Sequence, residues 1–179
     1  ALVDATSAYE RALLFSDIGC YALGVMPPYR SVHSAVDMGS SIGMAHGASR
    51  AGAYPVVCTI GDSTFAHSGM TALLGAVHGD ADITVMILDN ATTAMTGAQE
   101  SMATGEQLIR LLEGLGVKHL QIVEPLPKNH AANVAAIQTA INHRGLSVIV
   151  ERRPCIQIKP RKTIPSLPQS LVAVDRRNQ

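Results

Sequence analysis

The chain has no tryptophan, and aromatic residues make up only 3% of its 179 residues. Charge is sparse as well: 16% of residues are charged, and 14 basic side chains balance 14 acidic ones. A neutral chain lacks the basic field that gathers nucleic acid, so nucleic acid is excluded as the main partner. So few charges near neutrality favour association instead, and imply a surface partly covered by other protein. Cysteine is rare. Cys20, Cys58 and Cys155 lie far apart with no C-x-x-C pair, so the chain encodes neither a zinc site nor an iron–sulfur cluster. Three widely spaced thiols fit a reducing, cytoplasmic setting. No apolar run approaches the about 20 residues that span a membrane, and no signal peptide is visible. What the chain has in quantity is hydrophobic residues, 47% of the total. That is enough for one globular domain with a sizeable core.

Short apolar runs alternate with helical patterns. Ala12–Phe15 is a brief apolar run, Ser31–Asp37 (SVHSAVD) alternates with the period of a strand, and Ser40–Arg50 is a small-residue helix. A buried strand is expected at Pro55–Ile60, a helix from about Phe65 to Val77, a second buried strand at Ile83–Leu88, and a loop from Asp89 to about Thr104. Gln107–Leu115 places Leu108, Leu111, Leu112 and Leu115 on one helical face. Val117–Val123 reads as a strand, Asn129–His143 as a helix with Asn129 at its N-cap, and Ser147–Val150 as the last strand. Strands alternating with helices predict an α/β fold, a doubly wound parallel sheet with helices on both faces. The domain is expected to occupy residues 1–158. From Pro154 on the pattern fails, and residues 159–179, with three prolines and scattered basic residues, read as an extended tail or linker. Arg152, Arg153, Lys159, Arg161 and Lys162 read as a solvated edge.

Two strand ends carry the chemistry. After the first buried strand comes Gly61-Asp62-Ser63-Thr64, and after the second comes Asp89-Asn90-Ala91-Thr92, with 26 residues between Ser63 and Asn90. Gly61 gives an unobstructed turn, and Asp62 offers a carboxylate where a helix begins. Asn90 sits at the tip of the neighbouring strand. A hard divalent cation takes oxygen ligands and shares its shell with phosphate oxygens. Ligands at the carboxyl ends of adjacent strands would place it in the crevice where open α/β sheets bind, with helix N-terminal N–H groups toward the phosphates. The pair therefore reads as a cradle for a magnesium diphosphate. A bare strand–turn–helix, with Asp62 as an N-cap, is the plainer reading.

The same residues resemble the thiamine-diphosphate motif, written GDG…N, in which an Asp, a later Asn and a carbonyl two residues on hold Mg²⁺. Ser63 departs from the usual third Gly. Ser16-Asp17-Ile18-Gly19-Cys20-Tyr21, Asp37-Met38-Gly39-Ser40-Ser41-Ile42-Gly43 and Thr92-Thr93-Ala94-Met95-Thr96-Gly97 add to the likeness. Over residues 13 to 158, the chain resembles the C-terminal thiamine-diphosphate-binding domain of the large subunit of indolepyruvate:ferredoxin oxidoreductase, a 2-oxoacid oxidoreductase. The resemblance implies thiamine diphosphate and Mg²⁺ as cofactors. It also implies oxidative decarboxylation of an indolepyruvate-like arylpyruvate to an acyl-CoA, with electrons leaving to a ferredoxin-type acceptor. The family's cysteine-rich segments are not in this chain, so an iron–sulfur cluster is expected only on a partner segment. The family's activating Glu sits on a separate pyrimidine-binding domain, and none of Glu10, Glu100, Glu106, Glu113, Glu124 and Glu151 suits that role here. The chain is thus expected to be half of a site. It should be inactive without a pyrimidine-binding domain or subunit, in a homo- or hetero-oligomer, with the helix Ser40–Gly52 (Gly43, Gly47, Ala51) at the interface.

Resemblance and position together assign the roles. Asp62 and Asn90 ligate the metal by side chain, and Thr92 by its carbonyl. Gly61, Ser63 and Thr64 meet the diphosphate. Gly19-Cys20 and Gly39-Ser40 approach the cofactor's rings, where glycine lets backbone come close. Ile42 or Met44 either wedges the cofactor into a bent form or belongs to the core. His67 is the candidate for proton transfer, or else a histidine held by a backbone group. His33 and His46 are placed in the same upper region of the sheet and read as structural. Cys20 is a contact rather than a nucleophile, and Cys58 is core. Among rivals, Gly61-Asp62-Ser63 also fits an esterase block with Ser63 as nucleophile, but no Asp-x-x-His follows to supply a base. A non-oxidative 2-oxoacid decarboxylase built from the same half-subunit is the alternative, and a silent remnant serving in assembly is the third reading.

Overall fold

The computed structural model describes residues 1–158. The reading of 159–179 as a tail, with Lys159, Arg161 and Lys162, lies outside the described residues. Five parallel strands form the sheet: β1 (Leu13–Ser16), β2 (Val56–Gly61), β3 (Thr84–Asp89), β6 (His119–Val123) and β7 (Ser147–Arg152). They stand in the order β1-β2-β3-β7-β6. The register pairs Phe15 with Cys58, Cys58 with Val85, and Val85 with Val148. One face carries α2 (Ser40–Arg50), α3 (Asp62–Thr64), α4 (Met70–His78) and α5 (Gly105–Gly114); the other carries α1 (Leu2–Thr6) and α6 (His130–Asn142). This is the doubly wound arrangement that the alternation predicts.

The pleat explains why these runs are strands. Val56, Cys58 and Ile60 face the α2–α4 side, whereas Val57 faces α6. Both faces are covered, so every position of Val56–Ile60 is apolar or buried. In β3, Val85 and Ile87 face one way and Met86 the other. Helix α5 buries Leu108, Ile109 and Leu112 against the sheet and turns Gln107, Arg110 and Glu113 to solvent.

Four local expectations are corrected. Ser31–Asp37 makes no strand; it meets β1 through a single bridge, Phe15 to Ser34. The reason lies in His33, whose Nδ1 accepts the Leu14 N–H at 3.0 Å, so a side chain occupies a donor that a ladder would use. The helix after β2 begins at Asp62, not Phe65, and widens into a π turn over Phe65–Gly69 before α4. The loop after β3 contains a small hairpin, β4 (Thr92–Thr93) with β5 (Gln99–Glu100), joined through a 3₁₀ turn at Ala94–Thr96. Asn129 occupies the N-cap position of α6, but its amide donates to Glu124 and caps nothing.

Candidate functional site

The carboxyl ends of β1, β2 and β3 open onto a cleft of about 460 Å³. Its walls are Ile18–Tyr21 after β1, Gly61–Thr64 after β2, and Leu88, Asn90 and Thr92–Thr96 after β3, with Met38 at one side. The fold therefore brings Gly19, Cys20, Gly61, Asp62, Ser63, Thr64, Asn90 and Thr92 together. Gly39 and Ser40 do not line the cleft. Gly39 sits beside it at the start of α2 with φ +97°, and a Cβ there would run into Ser68. The Ser40 hydroxyl donates to the Asp37 carbonyl at 3.1 Å.

Asp62 organises the floor. It is 2% exposed. Its Oδ1 accepts the Ser63 N–H at 2.7 Å, and its Oδ2 accepts the Ala91 N–H at 2.9 Å. One carboxylate thus ties the β2 turn to the β3 turn. Burial pushes its pKa up, while the N–H groups of Ser63 and Ala91 pull the other way and Asp89 adds a like charge. Among the described residues no basic side chain pairs with it. A buried carboxylate without a counter-ion fits a metal ligand. Asn90 closes an Asx turn, its Oδ1 accepting the Thr92 N–H at 3.0 Å, and Ala91 takes φ +62° to make the corner. The hydroxyl of Thr93 donates to Ser63 Oγ at 2.8 Å and fastens the hairpin to the β2 turn. The serine that departs from the glycine motif is therefore a structural tie.

The loop after β3 is anchored at both ends by Asp89. Its carboxylate accepts from the Thr104 hydroxyl, from the Gly105 N–H at 2.9 Å, and from Arg152 Nε at 3.1 Å. Arg152 also reaches Glu106 at 3.2 Å. The expectation of a solvated Arg152 is corrected: its guanidinium locks the hairpin loop to β7. Arg153 is exposed and bonds the Pro125 carbonyl.

The candidate histidines His33, His46 and His67 do not converge on the cleft. His67 is exposed on the π turn and does not line the cleft. The placement of His33 and His46 near the top of the sheet is also corrected. His33 serves the edge of β1, and His46 packs at Gly79 beyond the far end of α4. Among the described residues no histidine stands on the cleft wall to act as a base for Ser63, and the esterase reading loses its remaining support. Ile42 and Cys58 are fully buried in the core. Met44 is half-buried under Ser34. Cys20 is exposed on the wall.

Two residues of the Ser16–Tyr21 segment received no role from the sequence. Tyr21 fills the space above Gly19 and Gly61, and its hydroxyl accepts the Gly61 N–H at 2.8 Å. A Cβ at Gly19 would run into that ring, so Gly19 is explained by Tyr21. Asp17 is fully buried and holds the start of α2, accepting the Ser41 N–H at 2.8 Å, while its Oδ2 has no partner. Neither has a spacing signal; both depend on contacts across elements.

Burial raises the pKa of Asp17 above its unfolded value. A raised carboxyl pKa contributes stability below the unfolded pKa, and that contribution is lost as pH rises through the folded pKa. Asp17→Asn keeps the acceptor for Ser41 and does not ionise. The expected outcome is a melting-temperature difference, variant minus wild type, that becomes more positive from pH 4 to pH 7. A difference constant across that range would contradict a buried, destabilised carboxylate.

A family profile described as "Thiamine pyrophosphate enzyme, C-terminal TPP binding domain" matches residues 17–151, which include every residue named on the cleft wall. The chain belongs to this family. Indolepyruvate oxidoreductase subunit IorA of Archaeoglobus fulgidus is 38% identical over 154 residues, covering 80% of this chain and 24% of that protein. The Pyrococcus horikoshii protein of the same name is 37% identical over 172 residues, covering 83% of this chain and 26% of that one. The chain thus spans about a quarter of the length of the curated relatives it matches. Among solved structures, a 2-oxoglutarate:ferredoxin oxidoreductase from Magnetococcus marinus superposes with a TM-score of 0.71 at 17% identity, over 87% of this chain and 60% of that one. At that identity the likeness establishes the fold alone. No helix among the described residues is long and apolar enough to cross a membrane.

Proposed function

We propose that this chain is the thiamine-diphosphate-binding half of a 2-oxoacid oxidoreductase acting on an arylpyruvate of the indolepyruvate kind, forming an acyl-CoA by oxidative decarboxylation. The observation that carries this reading is Asp62, a buried carboxylate facing the cleft beside Asn90 and Thr92 with no basic side chain paired to it among the described residues. The names of the relatives supply the substrate class. In this reading Asp62 and Asn90 hold Mg²⁺ by side chain and Thr92 by its carbonyl, while Ser63 and Thr64 meet the diphosphate. When bound, the cofactor supplies a carbon nucleophile for the 2-oxo carbon and a sink for the electrons that decarboxylation leaves.

The chain's own residues hold and orient. The Thr93–Ser63 bond and the Arg152–Asp89 pair keep the metal-side hairpin over the β2 turn. Ile18, Met38 and Met95 give the cleft an apolar rim that would exclude water from the reacting end. Leu23, Val25, Met26 and Met102 are exposed as well, which supports a covering partner. Electrons would leave through an iron–sulfur centre on another segment, since the three cysteines here are exposed, buried and half-buried at separate places.

The test supplies a pyrimidine-binding partner, an arylpyruvate, coenzyme A and an artificial one-electron acceptor, and separates the products. The expected outcome is acyl-CoA formed in step with acceptor reduction. Aldehyde released with no acceptor dependence would establish the simple decarboxylase instead.

A further inference from the structure

Tyr21 stands at the turn between β2 and α3, on the cleft wall. Here the N–H of Gly61 is already taken: it donates to the Tyr21 hydroxyl at 2.8 Å. That bond uses the phenolic oxygen as acceptor and leaves its proton to be placed. The Ile18 carbonyl lies at 3.5 Å, too long to hold it well, and the Thr64 hydroxyl, itself on the cleft wall, is the other polar group beside it. Tyr21, Gly61, Ser63 and Thr64 line one wall of the cleft. The ring lies over Gly19 and Gly61: a Cβ at Gly19 would collide with it, and one at Gly61 would lie 3.4 Å from it.

We propose that Tyr21 is a diphosphate-binding residue: its hydroxyl takes the Gly61 N–H and donates its own proton to a diphosphate oxygen in the cleft. The phenol thus presents an O–H on the cleft wall, where the Gly61 N–H is already engaged. A donor to an ionised phosphate makes a charge-assisted bond, stronger than a neutral one. Burial pushes the Tyr21 pKa up to about 12, so the proton is present at neutral pH. The inference rests on the cleft being a magnesium–diphosphate site.

Inorganic diphosphate with saturating Mg²⁺ is the probe, because it engages the diphosphate end without needing the pyrimidine half. Calorimetric titration of the full chain, at a temperature where both proteins are folded, should show Tyr21→Phe binding about tenfold more weakly than wild type; loss of the acceptor for the Gly61 N–H also lowers the melting temperature of the unliganded variant. Equal affinity overturns the role of Tyr21 and leaves the cleft assignment standing. Wild-type chain that fails to bind magnesium diphosphate overturns the cleft assignment and this inference with it. Should the variant fail to fold, ¹⁹F spectra of wild-type chain labelled with 3-fluorotyrosine at its four tyrosines carry the test. Magnesium diphosphate is expected to shift one resonance, and no shift overturns the proposal.

Discussion

Asp62→Ala is expected to bind thiamine diphosphate at least tenfold more weakly than wild type in the presence of Mg²⁺, a loss of about 1.4 kcal/mol or more. Three consequences of the substitution act together. It removes the only carboxylate on the cleft wall among the described residues. It leaves the N–H groups of Ser63 and Ala91 without their shared acceptor. And it unties the two turns on which Asn90 and Thr92 depend for their positions. Calorimetric titration with and without Mg²⁺ separates the metal role from the structural one. If Asp62 acts through the metal, wild type should bind weakly without Mg²⁺, and the variant should lose most of the Mg²⁺ enhancement. A variant that binds as wild type does, or a wild type indifferent to Mg²⁺, would overturn the reading. Asp62→Asn sharpens the comparison, because it keeps the shape of the side chain while removing its charge.

Much of this fold is legible in the sequence. Val56–Ile60 and Thr84–Leu88 are recognisable because both faces of a parallel sheet are covered, which forces near-continuous apolar runs. Helix α5 is recognisable because only one face is covered, which forces the 3.6-residue period. The cleft residues are legible where they are sequence neighbours at strand ends, as with Gly61–Thr64 and Asn90–Thr92. What is not legible is whatever one element does for another. Ser31–Asp37 has a strand's alternation but lies beyond the edge of β1, where the imidazole of His33 takes the Leu14 N–H. Arg152 reads as a surface charge until β7 is seen to stand beside β3, which places Asp89 within 3.1 Å of it. Tyr21 reads as an ordinary aromatic until the cleft places it over Gly61. The serine in place of glycine at position 63 looks like a departure from the motif until Thr93 is seen to donate to it.

Turnover by this chain alone is expected to be undetectable, and addition of a pyrimidine-binding half should restore it. The argument is from the carboxylates. Activating the cofactor needs a carboxylate hydrogen-bonded to its pyrimidine ring. Five of the six glutamates, Glu10, Glu100, Glu106, Glu113 and Glu124, are exposed, and none of them lines the cleft. Glu151 is half-buried with its pKa raised by burial, but its charged neighbour is the N-terminus, on the α1 side away from the cleft. Asp17 is buried beneath the start of α2, where its bonded oxygen serves Ser41. Asp62 and Asp89 are engaged by the turns that they hold. The surface supports the same conclusion. Gly43 and Gly47 on α2 have no neighbour within 4 Å of where a side chain would begin, leaving that face open to close approach by another helix. The cleft rim carries Ile18 at 44%, Met38 at 47% and Met95 at 68% exposure, an apolar margin suited to being covered. Sedimentation should therefore show association with the partner half when thiamine diphosphate and Mg²⁺ are present, and the rate of arylpyruvate consumption should saturate as partner is titrated in. Full turnover by this chain as a strict monomer would show that a carboxylate within it does reach the cofactor, and the reading of half a site would fall.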